Sequence, residues 1–138
     1  MRLYNYLQQF LYSSIRQLTY INAAVVVDGS GNQLPLDEYT QGNLIASVEH
    51  LGTGQYRLHL KNTFNALVGL NATPVSQSGG VTSGIVCELD PNTSNISDNA
   101  DPHVDINCFN PASGALQNPA SGSGFLVTIM ASSSSVKQ

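Results

Sequence analysis

The stretch Gly52-Thr53-Gly54-Gln55-Tyr56-Arg57-Leu58-His59-Leu60 decides how this chain folds. Its two glycines permit a tight reversal, and strict alternation follows. Tyr56, Leu58 and Leu60 lie on one side, Arg57, His59 and Lys61 on the other. Successive side chains of a strand point to opposite faces, so this segment reads as a strand with one buried and one wet face. Leu44 to Leu51, just before the turn, reads as its hairpin partner through a three-residue Gly52-Thr53-Gly54 loop.

Working outward, the same reasoning supplies five more strands. Gln17 to Val27 is apolar on both faces, as in a strand covered on both sides, and ends in the turn cluster Asp28-Gly29-Ser30-Gly31-Asn32. Leu34 to Gly42 reads as a loop. Leu67 to Thr73 is a short strand stopped by Pro74. Val81 to Leu89 places Ile85, Cys87 and Leu89 on one face; His103 to Asn110 does the same for Val104, Ile106 and Cys108. Phe125 to Ala131 closes the series with Phe125, Val127 and Ile129 together. About seven strands at this spacing predict an all-β antiparallel sandwich or jelly-roll-like domain. No internal repeat is present, and the short connections leave no room for α/β crossovers.

The N-terminal residues break the pattern. Leu3, Leu7, Phe10, Leu11 and Ile15 recur at helical steps, with Tyr4, Tyr6 and Tyr12 widening the stripe and Arg2 and Arg16 as the only charges. Asn5, Gln8, Gln9, Ser13 and Ser14 interrupt any continuous apolar run, which excludes a signal peptide. A helix so poor in charge needs a partner surface, either its own sandwich or a neighbouring subunit or assembly. The expected organisation is a docking helix over 1–16, a β-sandwich over 17–131 and a flexible tail over 132–138.

Composition narrows the function classes. Charged residues make up 10% of the 138-residue chain, against roughly 25% in an ordinary domain. Five Lys and Arg against nine Asp and Glu, without a cluster, exclude a phosphate-tracking surface and hence nucleic acid. No apolar run reaches the ~18 residues a membrane span requires.

Several groups invite a chemical reading. Asp90, Asn92, Ser94, Asp98 and Asp101 carry oxygens at the offsets of a calcium loop. Against that reading, Asn95 stands where the sharp turn requires glycine, and no helices flank it; a loop of turn formers explains the same residues. His103 and Asp105 share a strand face with Asp101 nearby. A metal site would need a further ligand from His50, His59 or Glu88, and polar residues on an outer face are the simpler account. His59 itself lies on the wet face of its strand. Ala120-Ser121-Gly122-Ser123-Gly124 is the nearest approach to a nucleophile elbow and reads as a small-residue loop. Cys87 and Cys108 read as buried thiols on nearby strands, or as a disulfide where the geometry permits. The Asn-x-Ser/Thr triplets at Asn71, Asn92 and Asn95 matter only in a secreted eukaryotic protein. No catalytic residue, cofactor or metal is assigned.

The run SVEHLGTGQYRLHLKNTFNALVGLNATP, from Ser47 to Pro74, resembles a motif of small β-sandwich modules in tailed-bacteriophage virions. The resemblance continues through the His103–Phe109 strand, the Asn110–Gly114 turn and the Phe125–Met130 strand. The Tyr-x-x-Leu-Gln-Gln-Phe-Leu segment is similar to particle-attachment segments of such proteins. It implies a non-enzymatic virion protein, assembled in the host bacterial cytoplasm, of the capsid decoration, cement or head-fibre type. Its partners would be other virion proteins (the major capsid protein, or tail and fibre components) and further copies of itself, with a trimer as the common order. The expected docking residues are Leu3, Tyr4, Leu7, Phe10 and Leu11. The alternatives are a tail-fibre adaptor, or a receptor- or glycan-binding module using the loops at Gly79–Gly80, Asp90–Pro102 and Gln117–Gly124.

Overall fold

The computed structural model describes residues 18–35, 42, 44–76 and 84–132. Among these are seven strands: β1 (Leu18–Val26), β2 (Ile45–Gly52), β3 (Gln55–Leu60), β4 (Ala66–Val75), β5 (Val86–Leu89), β6 (His103–Phe109) and β7 (Gly124–Ser132). They form two antiparallel sheets, one ordered β1-β7-β4 and the other β2-β3-β6-β5. The hairpins β2–β3 and β5–β6 stay within one sheet, and every other connection passes to the opposite sheet. The N-terminal helix expected over 1–16, with its docking residues, the Gly79–Gly80 loop and the tail beyond Ser132 lie outside the described residues.

Alternation dictates the core. Tyr56, Leu58 and Leu60 from β3, Val104, Ile106 and Cys108 from β6, and Phe125, Val127 and Ile129 from β7 are all buried in one cluster. Ile21, Ala23 and Val25 of β1 complete it from the outer strand of the three-stranded sheet. Tyr56 ties the layers together. Its ring packs edge-on against Phe125 at 5.5 Å, and its buried hydroxyl donates to the Gly31 carbonyl at 2.9 Å. A buried phenol keeps its packing only if its hydroxyl finds such a partner.

Four local expectations change. The β2–β3 loop has two residues, because Gly52 pairs with Gln55, and Gly54 takes the left-handed conformation at φ 69°. β4 continues through Pro74 to Val75, in register with Phe125 and Gly124. It is an edge strand, so the missing proline N–H costs no ladder bond. β5 is shorter than expected and starts at Val86, after a turn in which Gly84 has φ 68°. Finally, the outer face of β1 is bare at its start, where Leu18 is 40% and Tyr20 58% exposed, while Ala24 further along the same face is buried.

The Asp90–Pro102 connection is more than a polar loop. Ile96 is buried against the same core as Phe64, and its carbonyl accepts from the Phe64 N–H at 2.9 Å. This anchor draws the loop back over the outer face of β6.

Candidate functional site

The loop's return creates the densest polar cluster among the described residues, on the outer face of the four-stranded sheet. In-register pairing sets Glu49 opposite Arg57, Arg57 opposite Asp105, and His59 opposite His103. Arg57 holds Asp105 in a two-point fork, Nε to Oδ1 and Nη2 to Oδ2, both at 2.8 Å. His59 sits between two carboxylates, with Nδ1 2.6 Å from Asp101 and Nε2 2.9 Å from Glu49. The ring nitrogens of His103 face the backbone carbonyls of Asp101 at 2.6 Å and Thr93 at 2.8 Å. The Asp105 N–H donates to Ser94 Oγ, which itself donates to the Asp90 carbonyl.

Charge follows geometry here. Burial works against a charged His59, but the hydrogen bonds and charges of Asp101 and Glu49 outweigh it and push the imidazole up from its ordinary value. The bond from His59 holds Asp101 below the usual carboxylate range. Burial alone would raise Asp105, and the fork from Arg57 overcomes it and leaves that carboxyl lowered. Asp105 in turn raises the guanidinium, against the opposing effect of burial.

Such an arrangement clamps the loop to the sheet. Both His59 nitrogens are engaged by carboxylates, Nδ1 by Asp101 and Nε2 by Glu49. No group of three or more His, Cys, Asp or Glu among the described residues is arranged to hold a metal ion. The carboxylates of the calcium-loop pattern already have partners within the protein. Asp90 Oδ1 accepts from the Asn92 N–H at 3.0 Å, Asp98 Oδ1 from the Ala100 N–H at 2.9 Å, and Asp101 is taken by His59. His103 and Asp105, expected on a solvated face, are 8% and 3% exposed because the loop covers them. Glu88 pairs across to Asn107, and His50 stands apart.

His50 belongs to a second cluster, where the ring stacks on Tyr56 at 5.0 Å between Asn32 and Asn118. Asn118 Oδ1 also accepts from the Gly54 N–H at 2.7 Å, which joins the hairpin turn to the Gln117–Gly124 loop. Beside this cluster lies an open cleft of about 480 Å³ lined by Asn32–Pro35, Ala46–Val48 and His50.

The third surface is apolar. On the outer face of the three-stranded sheet, Tyr20 pairs with Met130, and Met130 lies over Gly69. Leu126, 52% exposed, stands between Ala24 and Thr73. A polar belt of Asn22, Thr128 and Asn71 separates the two patches, with Thr128 Oγ1 donating to Asn22 at 2.9 Å. Comparison with family models, curated proteins and solved structures finds no match for this chain.

Sequence reasoning missed Arg57–Asp105 and the Glu49–His59–Asp101 clamp. Alternation places Glu49, Arg57, His59 and Asp105 on the polar faces of their strands, but which strands are neighbours, and that the loop brings Asp101 beside them, is not written in any single strand. Ile96 was the available signal, as a lone large apolar residue in a loop otherwise made of turn formers.

Proposed function

We propose that this chain is a non-enzymatic structural protein of a bacteriophage particle, a capsid decoration or head-fibre component. In this reading the two sheets form a sandwich, residues 1–16 form the docking helix, and the partner is another virion protein or a further copy of the chain. The observation that carries the proposal is the half-exposed apolar face of the three-stranded sheet. Leu18 and Tyr20 stand at the start of β1, where the apolar N-terminal stretch joins the sheet. Tyrosine and leucine there would extend the docking area toward the ~1,600 Å² of a standard interface, with aromatic side chains as its anchors. The pairing of the charged outer-face residues with one another supports a load-carrying rather than a reactive surface.

Deletion of residues 1–16 tests the proposal. The truncated protein is expected to fold, with the cooperative unfolding of the full chain, and to be absent from purified particles analysed by mass spectrometry. A truncated protein that still joins its particle overturns it. The polar cleft beside His50 favours a second reading, a saccharide-binding module, because amide, hydroxyl and imidazole groups line it. Retention of the isolated protein on a glycan array, lost in His50→Ala, would select that reading.

A further inference from the structure

We propose that Cys87 and Cys108 form an intramolecular disulfide that staples the edge strand β5 to β6 and closes the Asp90–Pro102 loop at its base. The two residues are register partners across the β5–β6 ladder. The Cys108 N–H donates to the Gly54 carbonyl and its C=O accepts from the Gln117 N–H, so both groups point away from β5. The pair is therefore of the non-hydrogen-bonded kind, whose Cα atoms stand about 4.5 Å apart. That separation lies inside the ~4.4–6.8 Å range that a disulfide spans. Both side chains turn to the buried face, 5% and 0% exposed, with their sulfurs in contact at 2.6 Å.

The staple has an evident structural use. β5 is four residues long and lies at the edge of its sheet, held by one neighbour. The bond would close a loop between residues 21 apart in sequence, including the turns that carry Ile96 and Asp101. Shortening the loop in the unfolded chain removes entropy that folding would otherwise have to overcome.

The oxidant is a small-molecule or protein disulfide, acting by thiol–disulfide exchange. One cysteine thiolate attacks it, a mixed disulfide forms, and the first leaving thiolate departs. The second cysteine thiolate then attacks the protein sulfur of that mixed disulfide and expels the other leaving group. The two thiol protons end on the two leaving thiolates, and the two electrons taken from the cysteines reduce the oxidant's disulfide to two thiols. Because both sulfurs are shielded in the folded chain, the exchange takes place while the sheets are still assembling, and the finished bond resists reductant until the sheet opens.

The test uses the full chain, refolded in a buffer of reduced and oxidised glutathione, then denatured and alkylated. The expected result is an intact mass two hydrogens short, no alkylation, and a non-reduced peptide map linking Cys87 to Cys108. The oxidised protein should melt roughly 10 °C above its reduced form. Cys87→Ala and Cys108→Ala should each melt near the reduced wild type and ignore reductant. Two alkylated cysteines, or glutathione adducts in place of the link, overturn the proposal. So does an oxidised wild type that melts no higher than its reduced form. The mapping needs only the wild-type chain, so it decides the matter even where neither variant folds.

Discussion

Gly54 carries more of this structure than its size suggests. Its φ of 69° belongs to the left-handed region, its N–H donates to Asn118, and its carbonyl accepts from Cys108 at 2.6 Å. A Cβ at this position would strike the Cys108 carbonyl and the Gln117 backbone, neither of which has room to retreat. Gly114 makes the matching control, with φ 72° and open space around it. Gly114→Ala should cost about 1 kcal/mol, the conformational penalty alone. Gly54→Ala should cost roughly 2–4 kcal/mol, because the backbone clash adds to it. Urea midpoints of the two variants measure the difference, and equal losses would mean that the hairpin turn is not locked to the Gln117–Gly124 loop.

Between elements, the clamp on the outer face of β2, β3 and β6 ties the Asp90–Pro102 loop to the sheet. Arg57→Ala would leave Asp105 buried with its charge uncompensated, at a cost of about 3 kcal/mol. The pH dependence has two arms. His59 is raised in the folded chain, so its contribution is complete below its unfolded value near ~6.5 and is lost as pH climbs through the folded one. Asp101 and Asp105 are lowered, so theirs is complete above about 3.9 and is lost as pH falls through the depressed values. Together these arms place the network's best stability between roughly pH 4 and pH 6.5. Urea midpoints followed across that window should fall on both sides for the wild type. In His59→Gln the alkaline decline should disappear; a decline of unchanged size there would show that His59 carries no charge in the fold.

At the scale of the whole molecule, the two sheets differ in what they offer outward. The four-stranded sheet presents paired charges, whereas the three-stranded sheet presents Leu18, Tyr20 and Leu126 to solvent. The double substitution Tyr20→Ser, Leu126→Ser removes apolar area that folding leaves exposed. Stability should therefore move by only about 0.5 kcal/mol per site; if the chain is the particle component proposed above, occupancy on particles drops about tenfold or more, since aromatic anchors dominate interface energies. Quantitative mass spectrometry of particles, beside a urea titration of the free protein, separates the two effects. Full occupancy in the double variant would remove this face from the interface.

The sequence by itself determined what local chemistry can determine. Alternation named the buried faces of β3, β6 and β7, and the glycine, proline and asparagine clusters located the turns between them. A period of two is a property of the strand alone, and a turn depends only on its own few residues. Tertiary structure decided the rest. The sequence of β1 predicts cover on both sides, because an apolar face looks the same whether or not something lies on it. Pro74 reads as a stop because the sequence does not say that its strand is an edge. The charged clamp stayed hidden for the same reason: Glu49, His59, Asp101 and Asp105 are brought together by strand order and by the burial of Ile96, and strand order is a choice among partners far apart in the chain. The Gly52–Leu60 stretch shows both sides of this division, since its alternation is written in nine residues, whereas the tasks of Gly54, Tyr56 and His59 were assigned by the residues that folding placed beside them.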